Sequence, residues 1–376
     1  MSDPVSVTLT RLALTDFRNY ASATIPLSSQ MVAFVGDNGA GKTNILEAIS
    51  FLTAGRGLRR SALSDIGRAV ASGSWAVNAR IEGVYGETRL GTGYTAGETG
   101  RRVRIDGEDA RSSDMLLDYI RVLWLVPSMD GLFTGPGSDR RRFLDRLVLS
   151  LNPSHGRMVA NYEKALRQRN RLLAEGGMPS FLDALEAQVA ELGTAVTISR
   201  RETVSLLAAT IEDQAGLGLP FPKALIQLEG GFETLTEGMN STDTEDAFRT
   251  LLSDGRYRDR AAGRTLEGPH RSDLVVHHAE KELPAALAST GEQKALLIGL
   301  VLAHASLTSA VSGMAPVLLL DEVAAHLDPA RRAALFARLE AIGGQVFMTG
   351  TDAALFEDLP SGAERFQVTD AHIARL

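Results

Sequence analysis

The sequence predicts an α/β fold: a head built from a mixed sheet and an antiparallel β lobe, with a helical arm inserted between its two halves. Three observations lead there. The apolar run Met31–Val35 halts at Gly36 as a buried strand does, and helical spacing follows at Ile45, Leu46, Ile49 and Leu52. A second apolar run, residues 316–320, ends in the carboxylates of Asp321 and Glu322. Between the two, Met158, Tyr162 and Leu166, then Leu182, Leu185, Val189, Leu192 and Val196, recur at three and four residues, the period of a helix.

Taken in order, Val5, Val7 and Leu9, then Leu12 and Leu14, alternate as in a strand, and residues 23–27 suggest a second one. Residues 75–105 read as antiparallel strands with Gly83, Gly86, Gly91 and Gly93 as turn signals. Residues 122–126 form another buried strand, closed by Pro127. Gly176, Gly177 and Pro179 break the helical region into an antiparallel hairpin. Its second helix, roughly 30 residues at 1.5 Å each, would reach about 45 Å. Strand–helix alternation resumes at Thr265. The expected domains are residues 1–151 and 261–376 as the two parts of the head, with 152–260 as the arm.

Composition narrows the function classes. The chain has no cysteine, which excludes disulfides and thiolate metal sites. A net charge of −7 argues against a protein that coats nucleic acid by bulk positive charge. Any DNA contact falls to local arginine clusters, of which residues 56–60, 101–104, 140–146 and 256–264 hold one each. The N-terminal residues lack the basic start and apolar core of a secretory signal. The longest apolar stretch, 295–303, is far short of the ~20 residues that cross a bilayer. No membrane association and a cytoplasmic location are expected.

The chemistry sits in four short motifs. Gly36, Asp37, Asn38, Gly39, Ala40, Gly41, Lys42 and Thr43 fit the phosphate-binding P-loop, or Walker A, pattern in full. Its glycines let backbone N–H groups curl around phosphate oxygens, and the helix N-terminus adds positive partial charge. Lys42 would neutralise phosphate and the Thr43 hydroxyl would ligate Mg²⁺. A chance glycine-rich turn would not be flanked by a buried strand and an amphipathic helix. Asp321 and Glu322 end an apolar strand in the Walker B manner, where Asp321 would hold Mg²⁺ and Glu322 would take a proton from attacking water. An ordinary buried strand with a polar end is the alternative, and pairing with a full P-loop weighs against it.

Ser289, Thr290, Gly291, Glu292 and Gln293 precede a helix and are similar to the signature motif of ABC-type ATPases, normally Ser-Gly-Gly-Gln. Ser289 is also a good N-cap. Position decides for the signature: it stands about thirty residues before the carboxylates, as the ABC arrangement requires. Asp328 before Pro329 matches the D-loop and would also cap a helix. The usual switch histidine is absent after the strand at 345–349, so the γ-phosphate sensor would be Thr351 or Asp352, or there is none.

Together these pieces resemble the RecF family of recombination-mediator ATPases, whose head is ABC/SMC-like. Leu14-Thr15-Asp16-Phe17-Arg18-Asn19-Tyr20 looks like the family's N-terminal Leu-x-x-Phe-Arg-Asn-Tyr. Arg141-Arg142-Phe143-Leu144-Asp145 ends a stretch similar to one family signature, and Gly268-Pro269-His270-Arg271-Ser272-Asp273 resembles another. The stretch from Leu320 through Asp328 to Arg332 matches a third. Where the family has Pro-Glu-Asp-Leu, this chain has Ser128-Met129-Asp130-Gly131-Leu132, which leaves Asp130 as a candidate for metal or water.

The resemblance implies ATP and Mg²⁺ as cofactors, and a homodimer that closes when ATP binds. Each ATP would lie between one P-loop and Ser289, Gly291, Glu292 and Gln293 of the second copy, with Arg18 and Asn19 touching the nucleotide from its own subunit. It further implies a clamp on double-stranded DNA near gaps and single-/double-strand junctions. That clamp would act with RecO and RecR in RecA loading and be reset by weak, DNA-stimulated ATP hydrolysis. The alternative is the head of another SMC-like DNA-repair ATPase. Such proteins need long heptad arms with a hinge or a zinc hook, and this chain has neither the length nor a cysteine.

Overall fold

Apolar runs too short for helices become the inner strands of a six-stranded sheet. Its order is His372–Arg375, Glu364–Thr369, Met31–Val35, Val346–Gly350, Val317–Leu320 and Val122–Leu125. All neighbours are parallel except the edge strand His372–Arg375. The four strands from Met31–Val35 to Val122–Leu125 are buried throughout, which is why they read as continuous rather than alternating apolar runs. The computed structural model describes residues 4–68, 70–216, 218 and 220–376.

A second six-stranded sheet is antiparallel, in the order Tyr20–Pro26, Thr8–Phe17, Trp75–Gly83, Gly86–Tyr94, Arg102–Ile105 and Glu108–Asp109. Here alternation holds: Leu12, Leu14, Val77, Ile81 and Leu90 face a core shared with Phe34, Ile45 and Leu319. The Gln345 side chain ties the two sheets. It accepts from the Leu9 N–H (2.7 Å) and donates to the carbonyls of Leu9 (3.1 Å) and Ser29 (2.9 Å).

The helix Thr290–Ser312 is longer and more apolar than the stretch 295–303 had suggested. By length and composition it would span a bilayer, but its most apolar window is 72% buried within the fold. It is a core helix.

The chain divides into two units: Met1–Asp130 with Gln214–Pro222 and Ser289–Leu376, and Gly131–Asp213 with Lys223–Ala288. The expected boundaries at 151 and 261 fall inside the second unit. The helix Gly137–Leu151 packs on His155–Glu175 and on the strand Asp273–His278. Arg140 fixes that contact with a fork of bonds to Asp273 at 2.8 and 2.6 Å.

The second unit is less purely helical than expected. Ala224–Glu229, Asp273–His278 and Leu283–Pro284 form a three-stranded antiparallel sheet. The long helix runs from Pro179 to Ala215, 37 residues, because Val204, Leu207 and Ile211 continue its buried face past Val196. That is about 55 Å of helix. Arg169, fully buried, joins three helices: it donates to Glu186 (2.9 Å), Asp259 (2.7 Å), Thr265 Oγ1 (2.7 Å) and the Leu252 carbonyl (2.7 Å).

The Gly-Pro-His-Arg segment is a tight turn around a structural histidine. At Gly268, φ is +128° and a Cβ would stand 2.7 Å from the Phe248 ring. His270 Nε2 lies 2.9 Å from the Thr265 carbonyl, which only accepts, so that nitrogen carries the proton. Nδ1 then accepts from the Tyr162 hydroxyl at 2.8 Å.

Candidate functional site

The site lies within the first unit, at the carboxyl ends of the parallel strands, where open α/β sheets bind ligands. The chain leaves Met31–Val35, turns through Gly36–Gly41 and enters the helix Lys42–Ser50. Gly41 is held at φ +116°, and a Cβ there would come within 2.5 Å of Asn19 Nδ2 and 2.7 Å of the Tyr20 hydroxyl. No other residue fits that position. Gly39, at φ +84°, faces open space.

Lys42 is buried, and its ammonium donates to the carbonyls of Gly36 (2.6 Å) and Asp37 (2.9 Å). Burial lowers its pKa, against the opposing pull of Glu322, then Asp321, then Asp37. The loop lysine and both strand-end carboxylates therefore share one electrostatic site, although they are 279 and 280 residues apart in sequence (321 − 42 and 322 − 42).

Thr43 and Asp321 meet directly: the hydroxyl donates to the carboxylate at 2.8 Å to Oδ1 and 3.0 Å to Oδ2. Thr349 completes the cluster. Its hydroxyl donates to Asp321 Oδ1 at 2.7 Å and accepts the Glu322 N–H at 3.0 Å. Glu322 has φ +55°, left-handed for a residue with a Cβ. Register explains the meeting, since Leu320 pairs with Met348 on the adjacent parallel strand.

The two switch candidates are placed differently. Thr351 and Asp352 are exposed, and the Asp352 carboxylate caps the short helix Ala353–Phe356 by accepting the Ala354 N–H (2.9 Å). Thr349 was the signal to find: a hydroxyl near the end of an apolar strand that neighbours the carboxylate strand.

Asn19 and Arg18 also part ways. Asn19 donates to the Ala40 carbonyl (3.2 Å) and accepts from Asn44 (2.8 Å), while Tyr20 donates to the Gly41 carbonyl (3.1 Å). Arg18 instead grips buried Glu47 at 2.8 and 2.6 Å, with further bonds to Ser61 (2.8 Å) and the Asp65 carbonyl (2.8 Å). Its donors are taken up inside the protein, and Glu47 also holds Arg59 at 2.6 Å. A carboxylate in an amphipathic helix reads as surface, and the sequence alone does not reveal buried Glu47.

The segment at 289–293 has the geometry of a helix cap. The Glu292 carboxylate accepts the Ser289 N–H (3.0 Å) and hydroxyl (2.8 Å), and the two form a capping box at the start of Thr290–Ser312. Ser289 and Gly291 are exposed, whereas Gln293 is buried. Asp130 pairs with Lys294 at 3.2 Å. Asp328 caps Pro329–Ile342 by accepting the Arg331 N–H at 2.9 Å.

A P-loop, a strand-end carboxylate pair and a capped motif before the core helix define a P-loop head of the SMC type. A family model described as the RecF/RecN/SMC N terminal domain matches residues 8–373. The chain belongs to the RecF family. The DNA replication and repair protein RecF of Brucella suis biovar 1 is 57% identical over 97% of this chain and 96% of its own length. The protein of the same name from Rhizobium etli is 54% identical over 98% and 99%. Among solved structures, the recombination mediator protein RecF-ATPrS in the RecFOR pathway superposes with a TM-score of 0.88 at 22% identity, covering 100% of this chain and 99% of that one. The Smc head domain from Pyrococcus furiosus gives 0.56 at 17% identity, covering 98% and 96%. These two likenesses bear on the fold.

Proposed function

We propose that the protein is an ATP-dependent DNA-repair ATPase that closes as a homodimer on DNA. One observation carries the dimer. Among the described residues Ser289 makes its side-chain bonds only within its own cap, and a Cβ on Gly291 would meet nothing within 4 Å, so none of them calls for glycine there. A surface that excludes side chains for no internal reason suits close approach by an outside group. The nucleotide phosphates on a second copy's loop are that group, with exposed Ser289 and Gly291 presented across the interface, Glu292 and buried Gln293 behind them, and Asp328 running beside it.

The residues present fit ATP and Mg²⁺. Lys42 already points its ammonium at carbonyls of the loop that would hold phosphate. Among the described residues no cluster of three His, Cys, Asp or Glu could hold a metal unaided. Thr43 and Asp321 would supply one hydroxyl and one carboxylate, and phosphate oxygens and water the remainder, as Mg²⁺ prefers. Bound there, Mg²⁺ would neutralise charge building on the phosphates. Glu322 would accept a proton from water, and Asn19 would steady the loop through the Ala40 carbonyl. Hydrolysis would reopen the dimer. By family likeness, supported by RecF structures of the RecFOR pathway, the clamp would act with RecO and RecR at gap junctions to promote RecA loading.

Sizing the protein with and without ATP and a gapped duplex tests this reading. The parent should dimerise only with ATP. Ser289→Arg should bind ATP and stay monomeric, and Lys42→Met should neither bind nor dimerise. A parent that stays monomeric under every condition would overturn the proposal.

A further inference from the structure

The outer face of the antiparallel sheet carries a row of like charges. Arg11 lies directly opposite Arg80, and Arg80 directly opposite Arg89, on three adjacent strands. Directly paired residues share a face, and like charges facing each other across strands destabilise a sheet. Arg80 is relieved by Glu87 at 3.5 Å. Arg11 and Arg89 are exposed and form no ion pair among the described residues. The two outer arginines thus cost the fold something and return it no ion pair among the described residues.

It also lines a groove. A cleft of about 420 Å³ is bordered by Arg11, Arg80, Arg89 and Arg104, with Ala13 and Gly91 among its small residues. A second cleft of about 280 Å³ shares Asn78, Gly91 and Arg104 with the first and adds Arg102, so the two run together. Strands stand about 4.8 Å apart, so the three-arginine row spans about 10 Å. Phosphates of one DNA strand advance about 3.4 Å along the axis while winding around it, so the long arginine side chains of that row reach about two or three of them.

We infer that this groove is a phosphate track for the backbone of duplex DNA. The inference rests on the DNA-clamp reading above and supplies the surface that reading leaves open. Single-stranded nucleic acid is bound by stacking bases on aromatic rings. The larger cleft has no aromatic lining; at the smaller one Trp75 is buried and Tyr94 is partly buried and packs against the core. Contacts confined to the backbone carry no sequence information, so binding here is sequence-independent.

The test uses the full chain with ATP and a fluorescent 30-base-pair duplex, titrated at several salt concentrations. Each phosphate contact contributes about 0.9 to the slope of log affinity against log salt. In Arg11→Gln/Arg80→Gln/Arg89→Gln that slope should shrink by about 1.8–2.7, with thermal stability no lower than the parent's. The corresponding triple lysine variant should keep most of the slope. A parental slope in the glutamine variant overturns the track, as does loss of single-strand binding with duplex binding intact. A loss equal in the lysine variant overturns it too, by pointing to shape and not charge. A parent that binds no duplex at all sinks the clamp reading itself and the track with it.

Discussion

Thr349 donates its hydroxyl proton to Asp321 at 2.7 Å, and the same oxygen accepts the Glu322 N–H at 3.0 Å. One side chain thereby sets the orientation of the carboxylate and the path of the backbone beside it. Thr349→Val keeps the shape but takes the acceptor from the part-buried Glu322 N–H and leaves Asp321 Oδ1 with Thr43 alone. Such a loss costs about 1–3 kcal/mol. Urea melts should show that drop and ATP turnover should fall, while Thr349→Ser restores both. Parental stability and turnover in Thr349→Val would remove Thr349 from the site.

Glu322 should separate binding from hydrolysis. Glu322→Gln retains size and backbone and loses the ability to accept a proton. Turnover should fall about 10²- to 10⁴-fold, the usual contribution of a general base, while ATP still binds and the dimer persists. Normal turnover in this variant would reassign the base.

The head was legible because its signals are local. The continuous apolar runs at 31–35 and 316–320, the loop glycines and the two carboxylates each announce one element, and the parallel sheet brings them together. Thr349 was not legible for the same reason: its partner lies 28 residues away and the link is strand register, which the residues alone do not give. Arg18 is expected at the nucleotide only because the family resemblance implies it. Only the fold reveals buried Glu47, 29 positions on, as its partner. The short sheet of the second unit was hidden because Ala224–Glu229 alternates weakly and pairs with a strand beyond two helices.

The second unit offers a stability test centred on Arg169. Its guanidinium faces Glu186 and Asp259 with no exposure to water. Arg169→Met removes the cation; Glu186 keeps Arg256, but buried Asp259 loses its ion-pair partner. Breaking a buried pair from one side costs about 3–5 kcal/mol. A denaturant midpoint within error of the parent's would show that the network contributes nothing to that unit.

His270 should give the protein a stability that falls in mild acid. Burial lowers its pKa from 6.5 to about 4, with Arg271 and Arg141 acting in the same direction against the Thr265 hydrogen bond. In the unfolded chain the imidazole takes a proton below about 6.5. In the folded chain it stays neutral, because Nε2 already donates to Thr265 and Nδ1 must accept from Tyr162. Between pH 6.5 and about 4 the unfolded state therefore binds more protons, and stability rises with pH across that window. The contribution is fully present above pH 6.5 and is lost progressively on acidification toward about 4. Its size is on the order of 3 kcal/mol. Denaturation of the parent at pH 7 and at pH 5 should show the loss, and His270→Gln, which cannot titrate, should show a shallower dependence between the same two points. Equal slopes for the two proteins would mean that His270 is protonated in the fold and that the Tyr162 bond runs the other way.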